Sequence, residues 1–490
     1  MDYKIIPLDQ FKPGKDSLPE TLFVSYGRDR PDIQTKKQIH IYASDLFGKD
    51  YLKPASLPQT PLKKYNGLPV IYSGHGDFKE WVKKSAGLIE TNVDIIASAF
   101  FMLSRYEEVV LAAHDVHNRF PATASIAYKE GFLDMPIVNE YIEFLRGWIE
   151  SLAPKSTNRH TWPGDKKFAI CLTHDVDRLQ MYRLSFMAGA ALDKIKLLLM
   201  PKTKRINPKV EGRLSSLNRV GVKDALNIMC DWTKVMLKLK KDPFDTFDYM
   251  LNLEREHGFN SSFYFMAGGN SRFDKRYSIS DPLVIKLIRQ IEANDNETGL
   301  HGSYNSYNNP EQLSMEKSRL DKVASNRDYG CRQHYLRWKT PDSWRTQEKA
   351  GLLYDATLSF ADHAGFRCGI CMPFQPFDLV ENRKLDIWEL PLTVMEGSLR
   401  GYSYQNLTPE TAYEQIVKYI DTVKRFNGVL VLLWHNSSIN SPGKDNDWKE
   451  VYERVMKYMK EQYAWVTSGR QIIDWWHGLC SARYKRNVLQ

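Results

Sequence analysis

Short apolar runs alternate with helical segments along the second two-thirds of the sequence. The candidate strands are residues 167–173, 261–266, 297–300, 334–338, 387–390, 429–434 and 464–467. Helical patterns lie between them, and one of these has Thr408 as its cap, Pro409 at its first position and Asn427-Gly428 at its end. Because strands connected by helices run parallel, the pattern predicts an α/β fold, either an open sheet or a (β/α) barrel.

The first 155 residues have a different pattern and predict a separate, smaller α/β domain. Extended runs at 21–26 and 38–42 precede helical patterns at 93–113 and 136–152. The polar, turn-rich stretch 153–164 indicates a linker. We therefore expect an N-terminal domain over 1–155, without a visible catalytic cluster, and a second domain over 156–490.

Targeting signals and cysteine usage predict a cytoplasmic protein with reduced thiols. The N-terminus lacks the basic and apolar regions of a secretory signal, and no apolar run reaches the ~18 residues of a membrane-spanning helix. The six cysteines are too scattered for a disulfide framework. Cys368 and Cys371 have the spacing of half a zinc site or of a redox pair, but without a second such pair we interpret them as buried or turn cysteines.

The positive charge of the chain is concentrated in one stretch. The formal net charge is +9, and residues 178–242 contain fifteen lysines and arginines against five acids, a net of +10 (15 − 5). This stretch is patterned as basic amphipathic helices and predicts an insertion at about 178–245. Three interpretations fit this stretch: a solvated helical hairpin, peripheral contact with the anionic inner membrane, and a cover over a cleft. Nucleic acid is not an expected partner, because no recognised binding motif accompanies the charge.

Polar residues follow several of the predicted strands. Asp175 and Asp177 come directly after the apolar run 168–172, and His301 and His435 follow two later runs. Parallel strands end at one edge of a sheet, so we expect these side chains to meet. Two carboxylates at a strand end suit a metal ligand beside a general base, although an Asx-type turn would also explain their spacing.

Six segments taken together resemble the polysaccharide deacetylases of carbohydrate esterase family 4. They are Thr-His-Asp-Val-Asp at 173–177, Ser-Phe-Tyr-Phe at 262–265, Thr-Gly-Leu-His-Gly-Ser at 298–303, Arg-Gln-His-Tyr at 332–335, Tyr-Asp-Ala-Thr at 354–357 and Leu-Trp-His at 433–435. The resemblance covers about 167–480 and implies a deacetylase-like irregular (β/α) barrel with a divalent metal. It leaves the N-terminal third unexplained.

The resemblance also implies catalytic roles for individual residues. Asp175 would be the general base and His435 the general acid. Arg332 would orient the catalytic carboxylate, and the backbone N–H of Tyr335 would stabilise the oxyanion. Amide hydrolysis needs these functions, because water must be activated, the carbonyl polarised and the leaving amine protonated.

The metal ligands depart from the pattern of that family. The resemblance makes Asp177 and His301 ligands, but the second metal histidine, expected four residues after the first, is Asn305. We expect His334 to be the third ligand of a zinc site, because imidazole suits a transition metal better than an amide oxygen does. Asn305 could instead complete a site for a harder cation, or His174, next to the predicted base, could supply the imidazole. His334 could merely hydrogen-bond Asp175 or a backbone carbonyl, and the chain could lack a metal altogether.

These observations predict a metal-dependent hydrolase that acts on C–N bonds other than peptide bonds. It would remove an N-acetyl or similar acyl group from an amino sugar of a cell-envelope polysaccharide or its precursor. Two alternatives stay open: a non-catalytic carbohydrate-binding or scaffold protein on the same barrel, and a metal amidohydrolase that acts on a small amide.

Overall fold

The computed structural model describes residues 21–33, 35–154, 162–182, 230–274, 277–440 and 447–488. Most of the predicted basic insertion, residues 183–229, therefore lies outside the described residues. No helix in the described ranges is long and apolar enough to cross a membrane.

The N-terminal region contains a four-stranded sheet in the order β1-β2-β6-β5 and a small hairpin of β3 and β4. The strands are β1 (Leu22–Gly27), β2 (Lys37–Tyr42), β3 (Lys63–Tyr65), β4 (Leu68–Val70), β5 (Val82–Ser85) and β6 (Leu88–Thr91). The helices are Ile95–Leu103, Tyr106–Val110, Ile126–Lys129 and Ile137–Leu152. The predicted helical stretch over 93–113 consists of two helices, because Arg105 adopts a left-handed backbone (φ 54°) that ends one helix before the next begins.

Nine strands of the remaining described residues build one sheet in which every pair is parallel. Its order is β14-β11-β10-β9-β8-β7-β16-β15, with β17 also paired to β7. The strands are β7 (Ala169–Val176), β8 (Ser262–Phe265), β9 (Glu297–Gly302), β10 (Gly330–Gln333), β11 (Tyr354–Asp355), β14 (Trp388–Glu389), β15 (Val394–Met395), β16 (Val429–Leu433) and β17 (Trp465–Thr467); β12 (Phe377–Asp378) and β13 (Arg383–Lys384) form a separate hairpin.

One extended segment, residues 388–395, lies at both ends of this sheet. It begins as β14 on β11, where Leu390 donates its N–H to the carbonyl of Asp355. It ends as β15 on β16, after Thr393 has donated its N–H to the carbonyl of Val431. The sheet must therefore curl, which confirms the predicted parallel (β/α) architecture.

Helices connect the strands as the alternating pattern predicted. They are Phe247–His257, Pro282–Glu292, Pro310–Leu320, Asp342–Lys349, Glu396–Arg400, Pro409–Arg425, Asp447–Glu461 and Gly469–Val488. The Thr408 side chain accepts the N–H of Thr411, as its capping position indicated. Strands β7 and β16 are buried along their whole length, as expected for central strands covered on both faces.

The predicted strand at 334–338 is wrong. Strand β10 ends at Gln333, and residues 334–336 form a tight 3₁₀ turn. Tyr335 (φ 63°) and Leu336 (φ 51°) both adopt left-handed backbone, which ends strand pairing and redirects the chain. Cys368 and Cys371 are free and buried.

Candidate metal and catalytic site

Four strands of the run β10-β9-β8-β7-β16 have their carboxyl ends around one cavity of about 410 Å³. Strand β7 brings Asp175 and Asp177, β9 brings His301, β10 leads to His334, and β16 leads to His435. The register explains the meeting, because β7 pairs directly with both β8 and β16 while β9 pairs with β10. Residues separated by up to 260 positions therefore share one edge of the sheet.

Asp177, His301 and His334 form a group that could hold a metal ion, since their ligand atoms all lie within 4.8 Å of one another. The Nε2 atoms of His301 and His334 lie 3.2 Å and 3.5 Å from Oδ1 of Asp177. Zinc ligands at bond lengths of about 2.0–2.2 Å occupy tetrahedron corners roughly 3.3–3.5 Å apart. The donor set and its spacing thus fit a divalent transition metal with a further position left for substrate or water.

Hydrogen bonds to the other ring nitrogens orient both imidazoles. Nδ1 of His301 donates to the carbonyl of Arg332 at 2.9 Å, and Nδ1 of His334 donates to the Asp274 carboxylate at 3.2 Å. Both Nε2 atoms consequently face Asp177 and are the ring atoms that would bind a metal ion. The sequence analysis missed Asp274, which lies in a loop after β8 and is held by the hydroxyl of Ser271 and the N–H of Tyr304.

The charges of the group also favour a cation. Burial alone would raise the pKa of Asp177, but His334 and the hydrogen bond from His301 hold that pKa well below its usual range. Burial lowers the pKa of His334. Burial acts to lower the pKa of His301, but Asp175 and Asp177 raise it, so a bound metal would displace a proton from this imidazole.

Asn305 lies outside this group. Its Oδ1 accepts a hydrogen bond of 3.0 Å from Nη1 of Arg337, and the same nitrogen also donates to the carbonyl of Tyr304. His174, the histidine next to the predicted base, also points elsewhere: its Nδ1 contacts the carbonyl of Trp434, and its Nε2 lies 2.9 Å from Oε1 of Glu254.

Asp175 is buried beside the metal-binding group and faces Arg332. Its Oδ2 lies 3.9 Å from Nε2 of His301, and its Oδ1 lies 3.5 Å from Nε of Arg332. Arg332 is fully buried, donates from Nη2 to Oγ1 of Thr173 and lies over the ring of Tyr264. The guanidinium therefore holds a positive charge next to the carboxylate that the resemblance makes the base.

His435 approaches the other carboxylate oxygen of Asp177, with Nε2 at 4.0 Å from Oδ2 of that residue. Its Nδ1 lies 2.8 Å from Oε1 of Glu396, which also accepts the hydroxyl of Ser438. Burial acts to lower the pKa of His435, but the Glu396 carboxylate outweighs it and raises this pKa to about 9. The imidazole is consequently protonated at neutral pH and can donate a proton from Nε2. The sequence analysis missed Glu396, although it directly follows the two-residue strand β15.

The chain was compared with protein families, curated proteins and solved structures. A family model described as a family of unknown function (DUF7033) matches residues 15–154. No curated protein matches the chain. Among solved structures, the chain is similar to PuuE allantoinase and to a probable polysaccharide deacetylase from Pseudomonas aeruginosa PAO1, each at 15% identity and TM-score 0.40 over 66% of this chain and 96% of the other. It is also similar to a CE4-family pseudoenzyme from Bacillus anthracis, at 10% identity and TM-score 0.29 over 48% of this chain and 62% of the other.

The fold and the site define a class. The chain is an α/β protein with a curled parallel sheet, and a group of two histidines and one aspartate that could hold a metal lies at the carboxyl ends of its strands. Which reaction this site could catalyse depends on the side chains around that group.

Proposed function

We propose that the protein is a metal-dependent hydrolase that removes an N-acetyl or similar acyl group from an amino sugar of a polysaccharide or its precursor. The observation that carries the proposal is that two different proton-transfer groups adjoin the metal-binding group. Asp175 lies 3.9 Å from His301, the protonated His435 lies 4.0 Å from Asp177, and all of these residues line the same cavity. A base and an acid beside an electrophilic centre suit amide hydrolysis.

Asp177, His301 and His334 would hold the metal ion. When bound, a zinc-type ion supplies Lewis-acid polarisation of the amide carbonyl and of the attacking water. Asp175 would take the proton from the attacking water, and Arg332, whose Nε lies 3.5 Å from its Oδ1, would orient the carboxylate for this step. A base of this kind can accept a proton only within hydrogen-bond reach, so the substrate amide must enter the cavity beside it.

His435 and Tyr335 complete the reaction. As the amide bond breaks, His435 donates its Nε2 proton to the leaving amine, while Glu396 stabilises the charged imidazole through Nδ1. We assign the backbone N–H of Tyr335 to the developing oxyanion, because this residue lines the cavity directly after the ligand His334.

An assay of the purified chain tests this function. We expect zinc uptake close to one ion per chain, and zinc-dependent release of acetate from oligosaccharides of N-acetylglucosamine or N-acetylgalactosamine. Metal content is measured on protein purified without chelators, and the free amine is followed by labelling. A folded protein that takes up no metal and releases no acetate would contradict the proposal and favour the carbohydrate-binding or scaffold alternative.

Replacing Glu396 with glutamine is expected to move the alkaline limb of the pH–rate profile. Glu396 raises the pKa of His435 to about 9, so the acid form is present below that pH and is lost as the pH rises through it. Without the carboxylate this pKa falls by about one to three units, and the loss of activity starts at correspondingly lower pH. The measurement is kcat/KM against pH, with Ser438→Ala as the control because it removes the other hydrogen-bond donor to Oε1 of Glu396 but keeps the carboxylate charge. An unchanged alkaline limb would exclude His435 as the acid.

We also propose peripheral contact between the basic segment and an anionic membrane surface. Its two flanks are joined beside the cavity, where the N–H groups of Met181 and Tyr182 donate to the carboxylate of Asp242. The +10 charge of 178–242 should give binding to anionic liposomes that weakens with salt. Sedimentation with anionic and neutral liposomes tests this proposal. Equal sedimentation with both would contradict it and favour the interpretation of the segment as a solvated hairpin.

A further inference from the structure

A turn of the N-terminal region, residues 115–119, packs against the candidate site. The turn is closed by its own backbone, since Asp115 donates its N–H to the carbonyl of Arg119 at 2.9 Å and Asn118 donates to the carbonyl of Asp115. The Asp115 side chain stiffens it further by accepting the N–H groups of His117 and Arg119. These bonds give the turn a fixed shape independent of the site that it touches.

Three contacts join this turn to the turn at 334–336. Nη1 of Arg119 donates to the carbonyl of Tyr335 at 2.8 Å, and Nε of Arg337 donates to the carbonyl of His117 at 2.9 Å. The rings of His117 and Tyr335 lie 4.8 Å apart between centroids. The Arg119 guanidinium is itself held by Asp115, whose Oδ2 accepts from Nε at 2.7 Å. Arg119 therefore connects this turn to the carbonyl of Tyr335, and its Nη2 also donates to the hydroxyl of Tyr404 at 3.3 Å.

The turn that Arg119 contacts has an unfavourable backbone. Tyr335 and Leu336 are consecutive residues other than glycine in the left-handed region. Such backbone persists where its surroundings hold it in place, and it is common at functional sites. His334, a member of the metal-binding group, begins this turn, so a change in the turn would move an imidazole that must lie within a few tenths of an ångström of its working position.

We propose that the N-terminal domain completes the active site, and that Arg119 is a positioning residue that holds the turn 334–336. The expected effect on the reaction rests on the proposed function. The contacts between the two turns do not depend on that function. This proposal gives a role to residues 15–154, the region that matches a family of unknown function.

Replacing Arg119 with alanine tests the proposal. We expect kcat to fall by about 10- to 100-fold with KM within about threefold, and zinc affinity to fall by about tenfold, because partners that orient ligands have effects of this size. The backbone N–H of Arg337 donates a hydrogen bond to the carbonyl of His334, so its hydrogen exchange with solvent should become faster. Arg119→Lys keeps a donor and should recover part of each loss. Arg28→Ala is the matched control, because Arg28 is another N-terminal arginine paired with an aspartate, but it is exposed.

The outcomes separate this proposal from the proposed function. Zinc affinity and amide exchange need no substrate, so they report on the turn even if no acetylated sugar is hydrolysed. Wild-type zinc affinity and wild-type exchange at Arg337 in a folded Arg119→Ala protein would overturn the positioning role. A raised KM with unchanged kcat would also overturn it and make Arg119 a substrate-binding residue. If the alanine variant does not fold, the same measurements on Arg119→Lys decide between these results.

Discussion

Asp175→Asn is expected to abolish turnover while the protein still binds its metal. The carboxylate of Asp175 lies beside the metal-binding group but is not part of it, with its Oδ2 3.9 Å from Nε2 of His301. Asparagine keeps the size of the side chain and removes its basicity, so the attacking water loses its proton acceptor. Loss of a general base costs about 10²–10⁴-fold in rate. The measurements are kcat with the best acetylated sugar and zinc content per chain.

Asp177→Asn should lose both the metal and the activity. Oδ1 of Asp177 is the atom that both imidazoles approach, and an amide in its place removes the negative charge of the ligand set. Asp45→Asn serves as the control, because Asp45 also contacts an arginine and a histidine but is exposed and does not line the cavity. The assignment fails if both site variants keep their metal and turn over every acetylated sugar that the parent accepts.

The strand-end residues could be predicted from sequence because their positions follow from sheet geometry. Asp177, His301 and His435 each follow an apolar run, and parallel strands bring the ends of such runs to one edge. That reasoning needs only the order of the strands and tolerates errors of one or two residues in their ends. It placed these side chains around one cavity without any knowledge of the loops.

The residues that tune the site could not be found in this way. Asp274 lies in a loop whose path depends on hydrogen bonds to Ser271 and Tyr304. Glu396 follows a strand of two residues, which is too short to give a periodic signal. The contact of Arg119 with Tyr335 joins residues 216 positions apart, and neither has a local pattern that indicates the other. Loop contacts of this kind depend on the packing of the whole chain.

The backbone around His334 explains why an extended segment was predicted there. Residues 334–338 contain aromatic and apolar side chains that are typical of strands. Tertiary contacts from Arg119 and Asp274 nevertheless hold a left-handed turn, in which His334 reaches the Asp177 carboxylate. A strand at this position would have continued past the edge of the sheet, and the alternating side chains of Tyr335 and His334 would have pointed to opposite faces.

His334→Ala is expected to weaken zinc binding by about 100-fold or more, whereas Asn305→Ala should change it by less than about threefold. The two variants distinguish the possible third ligands, because Nε2 of His334 lies 3.5 Å from Oδ1 of Asp177 while Oδ1 of Asn305 accepts a hydrogen bond from Arg337. A direct ligand should cost more than the 10- to 100-fold typical of residues that only orient one. Removing the Asn305 amide should instead cost stability of about 1 kcal/mol, the usual value of a lost hydrogen bond.

Zinc titration monitored by calorimetry gives the affinities, and thermal unfolding of each variant without metal gives the stability control. The reverse result, with wild-type affinity in His334→Ala and a large loss in Asn305→Ala, would exclude His334 as the ligand. Such a site would present an amide oxygen and a carboxylate beside a single imidazole, which suits a harder cation than zinc. Titration of the same two variants with magnesium and manganese would then identify the ion, because oxygen-rich sites prefer these metals while a site with two imidazoles prefers zinc.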